Sequence, residues 1–107
     1  MCSKCSKMEA FVEHVKEKTI VEQIKRYLKG LPECFFFKEH GGMYGTAGIP
    51  DIIACISGHF YGFEVKAEDG KPTELQEAVI RRINRAGGTA GVVRNVEDVK
   101  ALIRESK

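Results

Sequence analysis

The sequence predicts an α/β domain, a mixed four-stranded sheet flanked by helices, and three observations carry that prediction. Residues 8–29 and 73–86 place apolar side chains mostly at three- and four-residue intervals, the period of an amphipathic helix. Between them stand three short runs, Cys34-Phe35-Phe36-Phe37-Lys38, residues 51–56 and residues 60–65, rich in aromatic and β-branched side chains that suit a pleated, half-buried surface. A fourth run, Ala90-Gly91-Val92-Val93-Arg94, follows the second helical stretch. A helix between two strands implies that they lie parallel, joined by a right-handed crossover.

The first helix runs over residues 8–29 on Phe11, Val12, Val15, Ile20, Ile24, Tyr27 and Leu28. Thr19 can kink it or cap a second segment, which leaves one long helix and two short ones both open. Gly30 and Pro32 end it. The aromatic run is the first strand. It leads through Glu39-His40 into Gly41-Gly42-Met43-Tyr44-Gly45-Thr46-Ala47-Gly48, a loop whose glycines permit close approach of another backbone or a phosphate. Ser57-Gly58, with His59, turns the chain between strands two and three and makes them a hairpin. After the polar residues 67–72, Thr73 stands as an N-cap with Gln76 three residues on, the arrangement of a capping box. Leu75, Val79, Ile80 and Ile83 continue the stripe to Ala86, where Gly87-Gly88 stops it. Asn95-Val96-Glu97-Asp98 then opens a last helix through Val99, Leu102 and Ile103.

Within the hairpin, Asp51 precedes Glu64 by thirteen residues. Side chains two apart on a strand leave the same face, so Glu64 and Lys66 point together while Val65 points away. A hairpin of this length brings Asp51, at the start of one strand, back beside the end of the other. Two acids and one amine therefore gather around one point, and these are the groups a metal-dependent phosphodiesterase needs: carboxylates for a hard cation, an amine for water or phosphate charge. Pro50 fixes the approach to Asp51 and biases Ile49 toward an extended backbone. The plain structural reading is a solvated ion pair on a sheet edge, which explains neither Pro50 nor the glycine loop before it.

Pro50-Asp51 with Glu64-Val65-Lys66, on an αβββαβ order, resembles the PD-(D/E)xK nuclease superfamily, and so implies a restriction-endonuclease-like core. Gly48-Ile49-Pro50-Asp51, Phe63-Glu64-Val65-Lys66, Thr73-Glu74-Leu75-Gln76 and Gly91-Val92-Val93-Arg94, in that order, resemble more closely the VRR-NUC family of small virus-type replication-repair nucleases. The resemblance implies a metal-dependent endonuclease acting on branched or structured DNA, such as four-way (Holliday) junctions. It implies Mg2+ or Mn2+ held by Asp51, Glu64 and the carbonyl of Val65, with Lys66 acting on the attacking water or on phosphate charge. Whether Lys66 is base or electrostatic clamp stays open. By the same resemblance Glu22 completes the metal shell from the first helix, and Gln76 lies near the scissile phosphate. Each has a structural rival: Glu22 with Lys25 or Arg26 is an ordinary helical pair, and Gln76 as the third residue of a capping box binds backbone.

Candidates for DNA contact are Lys38, His40, Tyr44, Thr46 and Lys71, around the glycine loop and the 67–72 turn, and Arg94 at the same sheet end. A cut through two strands needs two sites and one domain brings one, so a homodimer is expected, as the family's small members also pair. Phe11, Val12 and Val15 would serve as its interface or as core. A helicase or another replication or repair protein is a further partner that this class of chemistry admits. The alternative from a different class is a non-catalytic DNA-binding accessory module on the same fold.

Composition agrees. The 107 residues make one domain over residues 8–107 behind a disordered tail, 1–7. No apolar stretch approaches the roughly 18 residues of a membrane span, and no signal-peptide core opens the chain, so a soluble, cytoplasmic protein is expected; the resemblance to virus-type nucleases is compatible with a phage-encoded protein in a bacterial host. The formal charge of +2 neither announces nor excludes a nuclease, because metal-binding carboxylates cancel phosphate-binding cations in the sum. Cys2 and Cys5 form a Cys-x-x-Cys with no second pair to complete a zinc site, and Cys55 reads as a small hydrophobe within its strand.

Overall fold

The computed structural model describes residues 16–40 and 47–106. Their order is α1 (Glu17–Lys29), β1 (Cys34–Lys38), β2 (Ile52–Ile56), β3 (His59–Val65), α2 (Glu74–Arg85), β4 (Thr89–Val93) and α3 (Val96–Glu105). The strands form one sheet in the order β1-β2-β3-β4, antiparallel from β1 to β3 and parallel between β3 and β4. This is the expected α/β architecture. The expectations that fall on Cys2, Cys5, Phe11, Val12, Val15, Tyr44 and Thr46 lie outside the described residues. No helix among the described residues is long and apolar enough to cross a membrane.

Helix α1 buries Ile20, Val21, Ile24 and Leu28. They meet the inward residues of the central strands, Ile52 and Ala54 of β2 and Tyr61, Phe63 and Val65 of β3, with Val93 and Val99 closing the cluster. Alternation along the strands selects these residues, and each fully buried Ile, Leu or Phe contributes about 1.5–3 kcal/mol. Thr19 lies in the first turn of an unbroken helix, where it neither kinks nor caps; the N-cap is Lys16, without a side-chain cap bond.

Ser57 and Gly58 have φ of 50° and 84°, the two left-handed residues that a two-residue hairpin turn requires. Ser57 tolerates this because Glu33 holds it twice: the Ser57 N–H donates to the Glu33 carbonyl at 2.8 Å, and its hydroxyl donates to Glu33 Oε1 at 2.9 Å. His59 belongs to β3 rather than to the turn, opposite Ile56, with Nε2 2.8 Å from Thr89 Oγ1.

Helix α2 covers the other face of the sheet. Its capping box is complete: the Gln76 N–H donates to Thr73 Oγ1 at 3.1 Å and the Thr73 N–H donates to Gln76 Oε1 at 2.9 Å. Asn84 ties it to the sheet edge, donating from Nδ2 to the Ala90 carbonyl at 3.1 Å and accepting from the Ala90 N–H at 2.8 Å, so one side chain satisfies both polar groups that edge strand β4 presents at this residue. Strand β4 ends at Val93, one residue earlier than expected, because the Arg94 N–H donates to Asp98 Oδ2 at 2.9 Å instead of to a strand.

Cover by α2 is incomplete. Phe35 is 70% exposed, Phe37 and Phe60 are also exposed, and so is Cys55. Cys55 is therefore not the buried hydrophobe its apolar neighbours suggested: Ala54 and Ile56 on either side of it take the core face, and alternation turns it outward.

Candidate functional site

Strand β1 ends, β2 begins and β3 ends at one edge of the molecule, since Lys38 lies opposite Ile52 and Ile52 opposite Phe63. Gly48 and Pro50 each have a task in delivering Asp51 to that edge. Gly48 has φ +84°, and a Cβ there would lie 2.8 Å from Leu75 Cγ, 3.1 Å from the Leu75 carbonyl oxygen and 3.1 Å from Val79 Cγ2. Pro50 is fully buried against Gly62 of β3, where an added Cβ would come within 3.0 Å of Pro50 Cγ. Gly48→Ala is accordingly expected to destabilise the fold by about 2–4 kcal/mol, the sum of left-handed backbone strain and overpacking against α2. A thermal melt of the variant measures this, and an unchanged melting temperature would rule out the close approach.

Asp51 is fixed by backbone on both sides. Its carbonyl accepts from the Glu39 N–H at 2.7 Å, and Oδ2 accepts from the Val65 N–H at 2.8 Å, bringing the carboxylate to the segment that carries Glu64 and Lys66. Lys66 Nζ lies 3.4 Å from Glu64 Oε2. This is no solvated surface pair: Glu64 is only 2% exposed and the Lys66 side chain 14%, because β3 is an interior strand. Glu64 Oε1 is buried with no hydrogen-bond partner. Burial first, and the Asp51 charge second, push the Glu64 carboxyl up to about 7 against the opposing pull of Lys66.

A cleft of about 350 Å³ opens beside this cluster, lined by Asp51, by Lys38 and His40 at the end of β1, and by Glu17, Lys18, Val21, Glu22 and Lys25 on α1. It continues along α1 into a second depression that shares Glu22 and Lys25 and adds Arg26 and Lys29. A larger cavity of about 540 Å³, lined by Ile49, Ile53, Phe60, Val79 and Ile83 among others, lies between α2 and the sheet; no carboxylate lines it.

Sequence reasoning named Glu22 as the helical acid, and Glu22 does line the cleft. Its carboxylate, however, is 55% exposed and pairs with Lys25 at 3.4 Å. Glu17, which sequence reasoning passed over, lies one turn earlier on the same cleft, and its Oε2 is within 3.5 Å of the Cβ position that Gly70 lacks, a point equally close to Lys66 Cβ. The signal for Glu17 was its place in the first turn of α1, which becomes visible only once that helix is known to start at residue 17. Among the described residues, no three His, Cys, Asp or Glu side chains converge as a metal cage. The structure brings together Asp51, Glu64 and Lys66, with Val65 between them. An all-oxygen pair of carboxylates with one buried, unmatched oxygen fits a hard divalent cation such as Mg2+, which takes one or two protein carboxylates and completes its shell with water and phosphate.

Gln76 spends its Oε1 on the capping box, which leaves Nε2 as its remaining donor. Lys71 is exposed on the loop before α2. Arg94, expected to face DNA, instead turns its guanidinium onto the carbonyls of Ala67 and Glu68.

No family model and no curated protein matches the sequence. Among solved structures, a VRR_NUC domain aligns with a TM-score of 0.68 and 24% sequence identity over 84% of this chain and 97% of its own length. The chain has the fold of that domain.

Proposed function

We propose that this chain, built on the VRR_NUC fold, is a metal-dependent deoxyribonuclease that hydrolyses phosphodiester bonds in branched DNA such as four-way junctions. The observation that carries the reading is Glu64, a buried carboxylate with an unmatched oxygen, held between Asp51 and Lys66 beside a cleft rimmed with basic residues. A carboxyl so placed is costly as structure alone and useful where a cation and a phosphate must meet.

Asp51, Glu64 and the Val65 carbonyl would hold Mg2+ or Mn2+, with Glu17 or Glu22 contributing from α1, directly or through water. When bound, the ion supplies positive charge for a phosphoryl oxygen and lowers the pKa of an attacking water. The chain's own residues do the rest. The Val65 N–H fixes the Asp51 carboxylate, and Lys66, held by Glu64 and largely shielded from bulk water, orients the attacking water and offsets charge on the phosphate. Lys38, His40, Lys18 and Lys25 line the cleft as partners for the sugar-phosphate backbone, contacts that position DNA without reading its sequence. Nε2 of Gln76 is a further donor toward phosphate.

A homodimer belongs to this reading, because a two-strand cut needs two sites; the exposed Phe35, Phe37 and Phe60 are apolar surface it would bury, and light scattering at working concentration should report twice the chain mass. The deciding experiment incubates purified protein with a labelled panel of four-way junction, flap, splayed arm and linear duplex, in Mg2+, Mn2+ or EDTA. Cleavage that requires the ion and favours a branched substrate is expected. Tight binding without any cleavage would instead make the domain an accessory DNA-binding module.

A further inference from the structure

Lys66 directly follows β3 and leads into a turn, and that turn is tethered from one direction. The Lys66 N–H donates to the Val93 carbonyl at 3.1 Å, and the Gly70 N–H closes the turn on the Ala67 carbonyl at 2.9 Å. Beyond these, the hydrogen bonds that tie residues 67–70 to another part of the described chain come from Arg94, whose Nη1 donates to the Ala67 carbonyl at 2.5 Å and to the Glu68 carbonyl at 3.1 Å. Arg94 is itself anchored. Its N–H donates to Asp98 Oδ2 at 2.9 Å, and the Asp98 N–H donates to Asn95 Oδ1 at 2.8 Å, in the N-terminal turn of α3. The turn matters to the site because it passes close to both Lys66 and Glu17: a Cβ at Gly70 would lie 3.5 Å from Lys66 Cβ and 3.5 Å from Glu17 Oε2.

We propose that Arg94 is a positioning residue: it anchors the 67–70 turn to the β4–α3 junction and so fixes Lys66 against Glu64 beside the cleft, without binding phosphate itself. A guanidinium offers planar, charge-assisted donors, and here Nη1 alone holds two neighbouring carbonyls at once, so this end of the group is spent on the turn. The anchor stands on geometry alone. Its effect on catalysis rests on the nuclease reading, and the test separates the two.

Arg94→Gln is expected to raise amide exchange at Lys66 and Gly70 by about tenfold or more, as a segment released to local opening does, while the amides of β3 that precede Lys66 stay protected. In cleavage assays the same variant should lose on the order of tenfold to a hundredfold in kcat through misplacement of Lys66, with KM unchanged and the salt dependence of DNA binding unchanged. Arg94→Lys, able to reach one carbonyl, should recover part of both losses. Unaltered exchange in Arg94→Gln would overturn the anchor. A salt slope reduced by about one, with kcat intact, would make Arg94 a phosphate ligand. Should Arg94→Gln fail to fold, side-chain nitrogen NMR of the unmodified protein decides: slowly rotating, resolved Nη signals are expected, and a single averaged signal overturns the proposal. If the unmodified protein cuts no DNA, the exchange and NMR readouts still judge the anchor, and only the nuclease reading falls.

Discussion

Lys66→Ala is expected to lower the cleavage rate by about 10²–10⁴-fold, the range for removing a group that handles the proton or charge of the transition state, while leaving the fold intact. The side chain is 14% exposed and its charged end meets Glu64. What it takes away is the charge that stabilises ionised Glu64, and the variant should therefore keep its melting temperature at pH 6 and lose activity at every pH. Asp51→Asn should lose comparable activity, since the amide oxygen can still accept from the Val65 N–H but the charge is gone. Binding of a four-way junction, measured in EDTA, should survive both changes. A Lys66→Ala protein that cuts at the unmodified rate would remove Lys66 from the mechanism.

Glu64 is expected to make the metal-free protein less stable as pH rises. Its carboxyl titrates near 7 in the fold, against an ordinary 4.5, so between these values the folded chain holds a proton that the unfolded chain has released. Stability then falls with increasing pH across that interval and levels off above about 7; the loss is about 3 kcal/mol, at about 1.4 kcal/mol per tenfold change in proton affinity. Glu64→Gln keeps the shape and removes the titration. Without divalent ion it should melt higher than the unmodified protein at pH 8, show a flatter pH profile, and fail to cleave. Mg2+ or Mn2+ at about 100 times its Kd should add roughly 2.7 kcal/mol to the unmodified protein at pH 8 and much less to Glu64→Gln. Thermal melts of both proteins at pH 5, 6, 7 and 8, with and without the ion, measure all of this. Identical pH profiles would mean that Glu64 does not carry the strained charge.

Most of the fold was legible because its signals are local. The capping box of Thr73 and Gln76, the left-handed pair Ser57-Gly58 and the helix-stopping Gly30 each act over a few residues, and the parallel pairing of β3 with β4 follows from the helix between them. The pairing of Asp51 with the Glu64 segment was legible for the same reason, since a two-residue turn fixes the register of a hairpin and brings residue 51 beside residue 65. Boundaries moved by single residues where a side chain took over a backbone bond, as Asp98 does at Arg94.

By itself the sequence determined the order of elements, the hairpin and the gathering of Asp51, Glu64 and Lys66, all consequences of periodicity and chain connectivity. Only the tertiary structure decided that Glu64 is buried with an oxygen unmatched, that Glu17 shares the cleft with Glu22, that Cys55 and Phe35 face outward, and that Arg94 holds the turn after Lys66. These are meetings between side chains far apart in the chain. Burial and charge neighbours depend on which helix covers which half of the sheet, and that packing is settled by surfaces that no contiguous stretch of sequence contains.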